Sequence, residues 1–125
     1  MTIQECYRRL GGDYSAAEKR LMREALVKKF ITKFLDDGSY AQLCCAMREG
    51  QREEAFRAAH TLKGVCGNLG FDRLYHSASR LTELLRPQAD AISEEVGVAM
   101  EEVSGDYELT VNAIGAYLSQ DTATE

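Results

Sequence analysis

Residues 58–70 read AAHTLKGVCGNLG. A histidine, His60, is followed three positions later by Lys63, and glycines stand at 64, 67 and 70. Neutral imidazole is a nucleophile near pH 7, and a lysine one helical turn away on the same face offsets an anion attached to the ring. The glycines need a separate reason, because each costs about 1 kcal/mol relative to Ala inside a helix.

On a helical wheel of about 100° per residue, Ala55, Ala59, Leu62, Cys66 and Leu69 gather on a core face. Glu53, His60, Lys63, Gly64 and Gly67 gather opposite. His60 is therefore expected to face solvent. By spacing alone a lone histidine reads equally well as a satisfied structural residue. Gly64 and Gly67 shift that balance. They strip the surface beside the imidazole, either for close helix packing or so that another macromolecule can approach. Phe56 lies one turn before His60 and either tucks under a neighbouring helix or offers a partner an apolar contact. Arg57 borders this face, and Arg73 and Arg80 are expected nearby, making a partly basic patch suited to an acidic partner.

Other chemistries fit less well. No serine accompanies His60, Glu53 is two turns away, and Cys66 projects to the core side, so no nucleophile pair forms. No GxxxxGK[ST] loop is present, so the chain is not expected to drive its own phosphorylation from ATP. A metal site drawing on His60, His76 and the cysteines is the weaker alternative, since the spacing of Cys6, Cys44, Cys45 and Cys66 forms no CxxC framework. These four read as small buried hydrophobes.

The elements that must position His60 are helical. Thr2–Glu5, Ser15–Glu18 and Ser39–Gln42 each match a capping box. The first opens a short helix ending at Gly11-Gly12. Its Ile3, Cys6, Tyr7 and Leu10 are expected to cover one end of a bundle. The second opens a helix with an apolar stripe at Met22, Leu26, Phe30 and Phe34, closed by Asp36-Asp37-Gly38. The third opens a helix carrying Leu43 and Met47 that stops at Gly50. A helix over about Gln51 to Leu69 ends at Gly70. Asp72 is expected to cap the next, whose inner face is Leu74, Ala78, Leu81 and Leu85, with Arg86-Pro87 ending it. A last helix over about Ala89 to Ser119 presents Ile92, Val96, Ala99, Val103, Tyr107, Val111, Ile114 and Leu118, with a kink or break at Gly105-Asp106. The expectation is all-α: an up-and-down antiparallel four-helix bundle over 15–119, a short helical extension over 1–14 and a frayed tail over 120–125.

The 125 residues suit one domain. A net charge of -5 disfavours nucleic acid as the partner. No apolar run approaches the roughly 20 residues of a membrane span. The start MTIQECYRRL lacks a signal-peptide plan, which predicts a cytoplasmic protein.

Ala59–Gly70 closely resembles the phosphohistidine motif H-x-L-K-G-x-x-x-x-L-G of histidine phosphotransfer (HPt) domains: His60, Leu62, Lys63, Gly64, Leu69 and Gly70 all match. The resemblance implies a stand-alone, monomeric phosphorelay intermediate. His60 would accept a phosphoryl group through Nε2 from a receiver-domain aspartate, such as that of a hybrid sensor kinase, and pass it to the receiver of a response regulator. Lys63 would neutralise the phosphate, and Gly64 would leave room for the receiver; from the helical wheel, Phe56, Arg57 and Gly67 are expected to complete the docking surface. No cofactor is expected on this chain, since Mg²⁺ comes with the receiver. Many members carry Glu or Gln 22 residues past the histidine to orient its ring. Here that position is Thr82, with Glu83 beside it. The alternative reading is a helical docking module that regulates a receiver or kinase without carrying phosphate.

Overall fold

The computed structural model describes residues 1–89 and 93–123, the last three as backbone only. Among the described residues there is no strand, and seven helices follow one another: α1 (Ile3–Leu10), α2 (Tyr14–Leu21), α3 (Glu24–Phe34), α4 (Ser39–Arg48), α5 (Arg52–Leu69), α6 (Asp72–Leu85) and α7 (Ser93–Ala123). The helix carrying His60, α5, packs against α4 on one side and α6 on the other, and α6 packs against α7. Helices α1 and α3 also contact α7.

The first helix forms as its caps dictate. Thr2 Oγ1 accepts from Glu5 N at 3.1 Å, and Gly11 ends the helix in the left-handed region. Ile3, Cys6, Tyr7 and Leu10 are all buried. Two other capping boxes do not form. Asp13, not Ser15, caps α2, its carboxylate accepting from Ala16 N at 3.0 Å. Ser39 is the first residue of α4 and is buried, and its own N–H donates to Asp37 Oδ1 at 2.9 Å. Asp72 likewise stands inside α6, with Phe71 at the cap position and no side-chain cap bond.

The stripe expected from Met22 to Phe34 is also corrected. The chain breaks at Met22, whose φ is 80°, so α2 and α3 are separate helices. Met22 is 83% exposed. The buried face of α3 is Val27, Ile31 and Phe34, with Leu26 and Phe30 only partly covered. Val27 and Ile31 lie one position beyond the expected Leu26 and Phe30, so the burying face is rotated by one residue. In contrast, α7 runs unbroken through Gly105-Asp106 and continues to Ala123, past the expected end at Ser119. Ile92 lies outside the described residues. The cysteines divide: Cys6 and Cys66 are buried, Cys44 is half-buried and Cys45 is exposed.

Two devices fix the ends of α5. At its start, Arg52 donates from Nη2 to the carbonyls of Leu84, Arg86 and Ala89 at 3.0–3.2 Å, and from Nε to Leu85 O at 3.4 Å. A single guanidinium thus serves carbonyls that the end of α6 leaves without helical partners. At the far end, Gly70 turns left-handed at φ 71° and the chain enters α6 through Phe71. Phe71 is fully buried, edge-on to Phe34 at 5.1 Å and tilted against Tyr7 at 5.7 Å. The N-terminal segment closes over this corner. Tyr7 Oη donates to Leu69 O at 2.7 Å, Asp13 N to Gly70 O at 2.8 Å, and Arg73 N to Gly11 O at 3.0 Å. The backbones approach so closely that a Cβ on Gly12 would lie 2.5 Å from Gly70 O.

Candidate functional site

The two faces expected of α5 are present. Ala55, Ala59, Leu62, Cys66 and Leu69 are buried, whereas His60 and Gly64 are exposed. Alanine at 55 and 59 keeps this side of the helix low, and Leu62 and Leu69 drive it into the core. With the helix held at both ends, His60 projects from a fixed backbone into an open cleft of about 550 Å³.

One wall of the cleft is α5, contributing His60, Lys63, Gly64 and Gly67. The other is α6, contributing Asp72 and Tyr75, and Arg20 of α2 closes one end. Lys63 Nζ stands 5.9 Å from the centre of the Tyr75 ring, so the cation leans along the cleft over an aromatic face. The two glycines have different roles. A Cβ on Gly64 would meet nothing within 4 Å, so this surface is bare. A Cβ on Gly67 would meet the Tyr75 ring at 3.4 Å, which makes Gly67 a packing position at the cleft floor.

The remaining expected residues are placed as follows. Phe56 is half-buried, its ring 6.0 Å from the imidazole of His60. Arg57 does not enter the cleft. It pairs with Glu53 at 2.6 Å and Glu54 at 2.8 Å, and lines a separate groove between α4 and α5. Arg80 is taken up by Glu102 of α7 at 3.0 Å, and Arg73 packs beside Gly11. His76 is exposed and lies against Tyr75. Thr82 is fully buried, and its Oγ1 donates to Ala78 O of its own helix at 2.7 Å. Its hydroxyl proton is therefore spent within α6 and does not serve the imidazole.

Three charged residues around His60 lie outside its helix, and of these only Glu83, beside Thr82, carries a sequence signal. Arg20 is 47 residues from Gly67, yet its Nη1 donates to the Gly67 carbonyl. Glu83, in the last turn of α6, pairs with Arg86 just past its end, Arg86 Nε donating to both carboxylate oxygens at 3.0 Å. The Arg86 guanidinium also lies 5.3 Å over Phe56. Arg86 holds the Glu83 carboxyl below the usual carboxylate range, with smaller contributions from Lys63 and His60. Glu83, one residue past Thr82, thus feels the charges of both Lys63 and His60. Among the described residues no three of His, Cys, Asp and Glu converge as metal ligands. No helix among them is long and apolar enough to cross a membrane.

An exposed imidazole on a helix held at both ends, a lysine one turn on and a bare glycine beside them present a nucleophile next to a cation on an open surface. The family model described as the Hpt domain matches residues 18–114. The chain belongs to the Hpt family, and membership implies histidine phosphotransfer in phosphorelays. No curated protein and no solved structure matches the chain significantly.

Proposed function

We propose that this chain is a cytoplasmic phosphorelay intermediate that carries its phosphoryl group on His60. The single observation that supports this most strongly is the cleft itself: His60 exposed, Lys63 alongside and nothing above Gly64. The family's four-helix up-and-down arrangement would correspond to α4 through α7. Its support is the packing of α4 on α5, α5 on α6 and α6 on α7 across short connections.

In this reading a receiver docks over Gly64 with its phosphoaspartate facing His60. The Nε2 lone pair attacks phosphorus, the N–P bond forms, and the bond from phosphorus to the aspartate oxygen breaks. The carboxylate leaves on the receiver, and the imidazole proton remains on Nδ1 or passes to water. Lys63 offsets charge on the transferred group. Mg²⁺ belongs to the receiver. A second receiver aspartate then attacks the same phosphorus and restores the neutral ring.

The test supplies a phosphorylated receiver with Mg²⁺ and looks for an acid-labile, base-stable phosphate on the chain. It is expected on the wild type and absent from His60→Gln. Efficient labelling of His60→Gln overturns the proposal, and unchanged function of that variant alongside unchanged binding favours a docking module that carries no phosphate.

A further inference from the structure

Two features at the α2–α3 junction bear on the surface beside His60. Met22 adopts φ 80° and ψ -33°, a conformation L-residues rarely take, and neither glycine nor asparagine stands there to relieve it. Its side chain is also 83% exposed, the most exposed of the large hydrophobic side chains among the described residues. A single exposed methionine is unremarkable alone. A strained backbone that presents an unburied apolar chain is not, because a glycine would make the same break without strain and without an exposed side chain.

The second feature is Arg20, two residues earlier. It reaches from α2 to the Gly67 carbonyl on α5 and closes one end of the His60 cleft. Its guanidinium has five N–H donors, and the Gly67 carbonyl takes one of them. Leu21, between the two, packs against the core and pins the junction. The kink therefore sets a cation in the cleft wall and an adaptable, exposed thioether two residues beyond it in the chain.

We infer that Arg20 and Met22 form a second half of the receiver-docking surface. In it, Arg20 meets acidic groups bordering the receiver's phosphorylation pocket and Met22 seats in an apolar recess beside it. The inference rests on the phosphotransfer reading and adds to it which element, outside the motif helix, selects the partner. Charge complementarity points to a receiver: the chain is acidic overall, yet the cleft lining sets Arg20 and Lys63 against the carboxylate of Asp72, and the nearby Glu83 is itself paired with Arg86.

The experiment measures transfer from a panel of phosphorylated receiver domains as a function of receiver concentration, beside labelling by phosphoramidate, which needs no docking. Met22→Gly relieves the strained backbone, so it should fold with an unchanged or higher melting temperature. Arg20→Gln removes the charge while keeping a donor for Gly67. Each variant is expected to raise KM for the receiver about three- to tenfold; Met22→Gly should keep phosphoramidate labelling, and Arg20→Gln should weaken transfer from the receiver more than labelling by phosphoramidate. Arg20→Gln is also expected to flatten the salt dependence. Unchanged KM in both variants, with transfer to the wild type intact, overturns the inference and leaves His60 as acceptor. If phosphoramidate labels His60 but no receiver in the panel does, the docking reading and this inference fall together.

Discussion

The hydroxyl of Thr82 donates to the carbonyl of Ala78 at 2.7 Å, wholly inside the core. The residue at the position where many relatives orient the histidine ring is thus turned into its own helix. Thr82→Val, nearly the same shape, should leave phosphoramidate labelling of His60 within about twofold, because a back-bonded threonine contributes little beyond its packing. A loss of tenfold or more would give the hydroxyl a role in orienting the ring.

Glu83 is a carboxylate of α6 that interacts electrostatically with Lys63 and His60 and is clamped by Arg86. A carboxylate there repels an incoming dianion. Glu83→Gln should therefore speed labelling by phosphoramidate about two- to fivefold at low ionic strength, with the gain shrinking in high salt. The folded carboxyl is depressed, so the Glu83–Arg86 pair is present above the ordinary carboxylate pKa. It is lost as pH falls through the lower folded value, and in acid the wild type and variant should converge.

Gly64 bears no neighbour within 4 Å, so Gly64→Ala is free of clash. The helix should gain up to about 1 kcal/mol, readable as a higher melting temperature. Bulk should act only on docking: Gly64→Gln is expected to slow transfer from a receiver at least tenfold and to leave phosphoramidate labelling near wild type. Equal loss with both donors would mean that the substitution disturbs the imidazole itself.

Tyr7 supplies the one side-chain hydrogen bond between α1 and the end of α5 among the described residues. Tyr7→Phe leaves the Leu69 carbonyl unpaired in a buried place and should cost about 1–3 kcal/mol, measured by urea unfolding. A change under about 0.3 kcal/mol would show that water replaces the bond.

Thiol labelling should follow burial. Cys45 is expected to react first with a thiol reagent in native protein, and Cys6 and Cys66 only on unfolding. Burial raises the Cys6 thiol to about 11, weakly opposed by Arg9. The folded state thus holds its proton where the unfolded state, with an ordinary thiol near 9.0, has lost it. Stability should fall as pH rises from about 9 to 11, and Cys6→Ala should flatten that fall.

The sequence makes α5 legible because a helix with one buried face and a glycine stop writes itself at a period of 3.6, and Ala55 through Leu69 follow it. It makes the break at Met22 illegible for the same reason. Met22, Leu26, Phe30 and Phe34 step by four as cleanly as Val27 and Ile31 do, and no proline or glycine marks the change. Capping boxes fail at Ser15 and Ser39 where Asp13 and Asp37 offer a nearer carboxylate. The charges around His60 divide along similar lines. Lys63 is one turn away and visible. Arg20 arrives from another helix, while Arg57 and Arg80 are drawn off by Glu53, Glu54 and Glu102.

The stretch matched by the family model starts at residue 18, yet the carbonyls of Leu69 and Gly70 at the close of the helix that carries His60 are held by Tyr7 and Asp13. A fragment cut to the family's edges would keep every residue of the motif and lose the peptide that fastens its last turn. For this chain the unit of recognition is shorter than the unit of folding, and a graft of the relay module into another protein has to carry its first seventeen residues along.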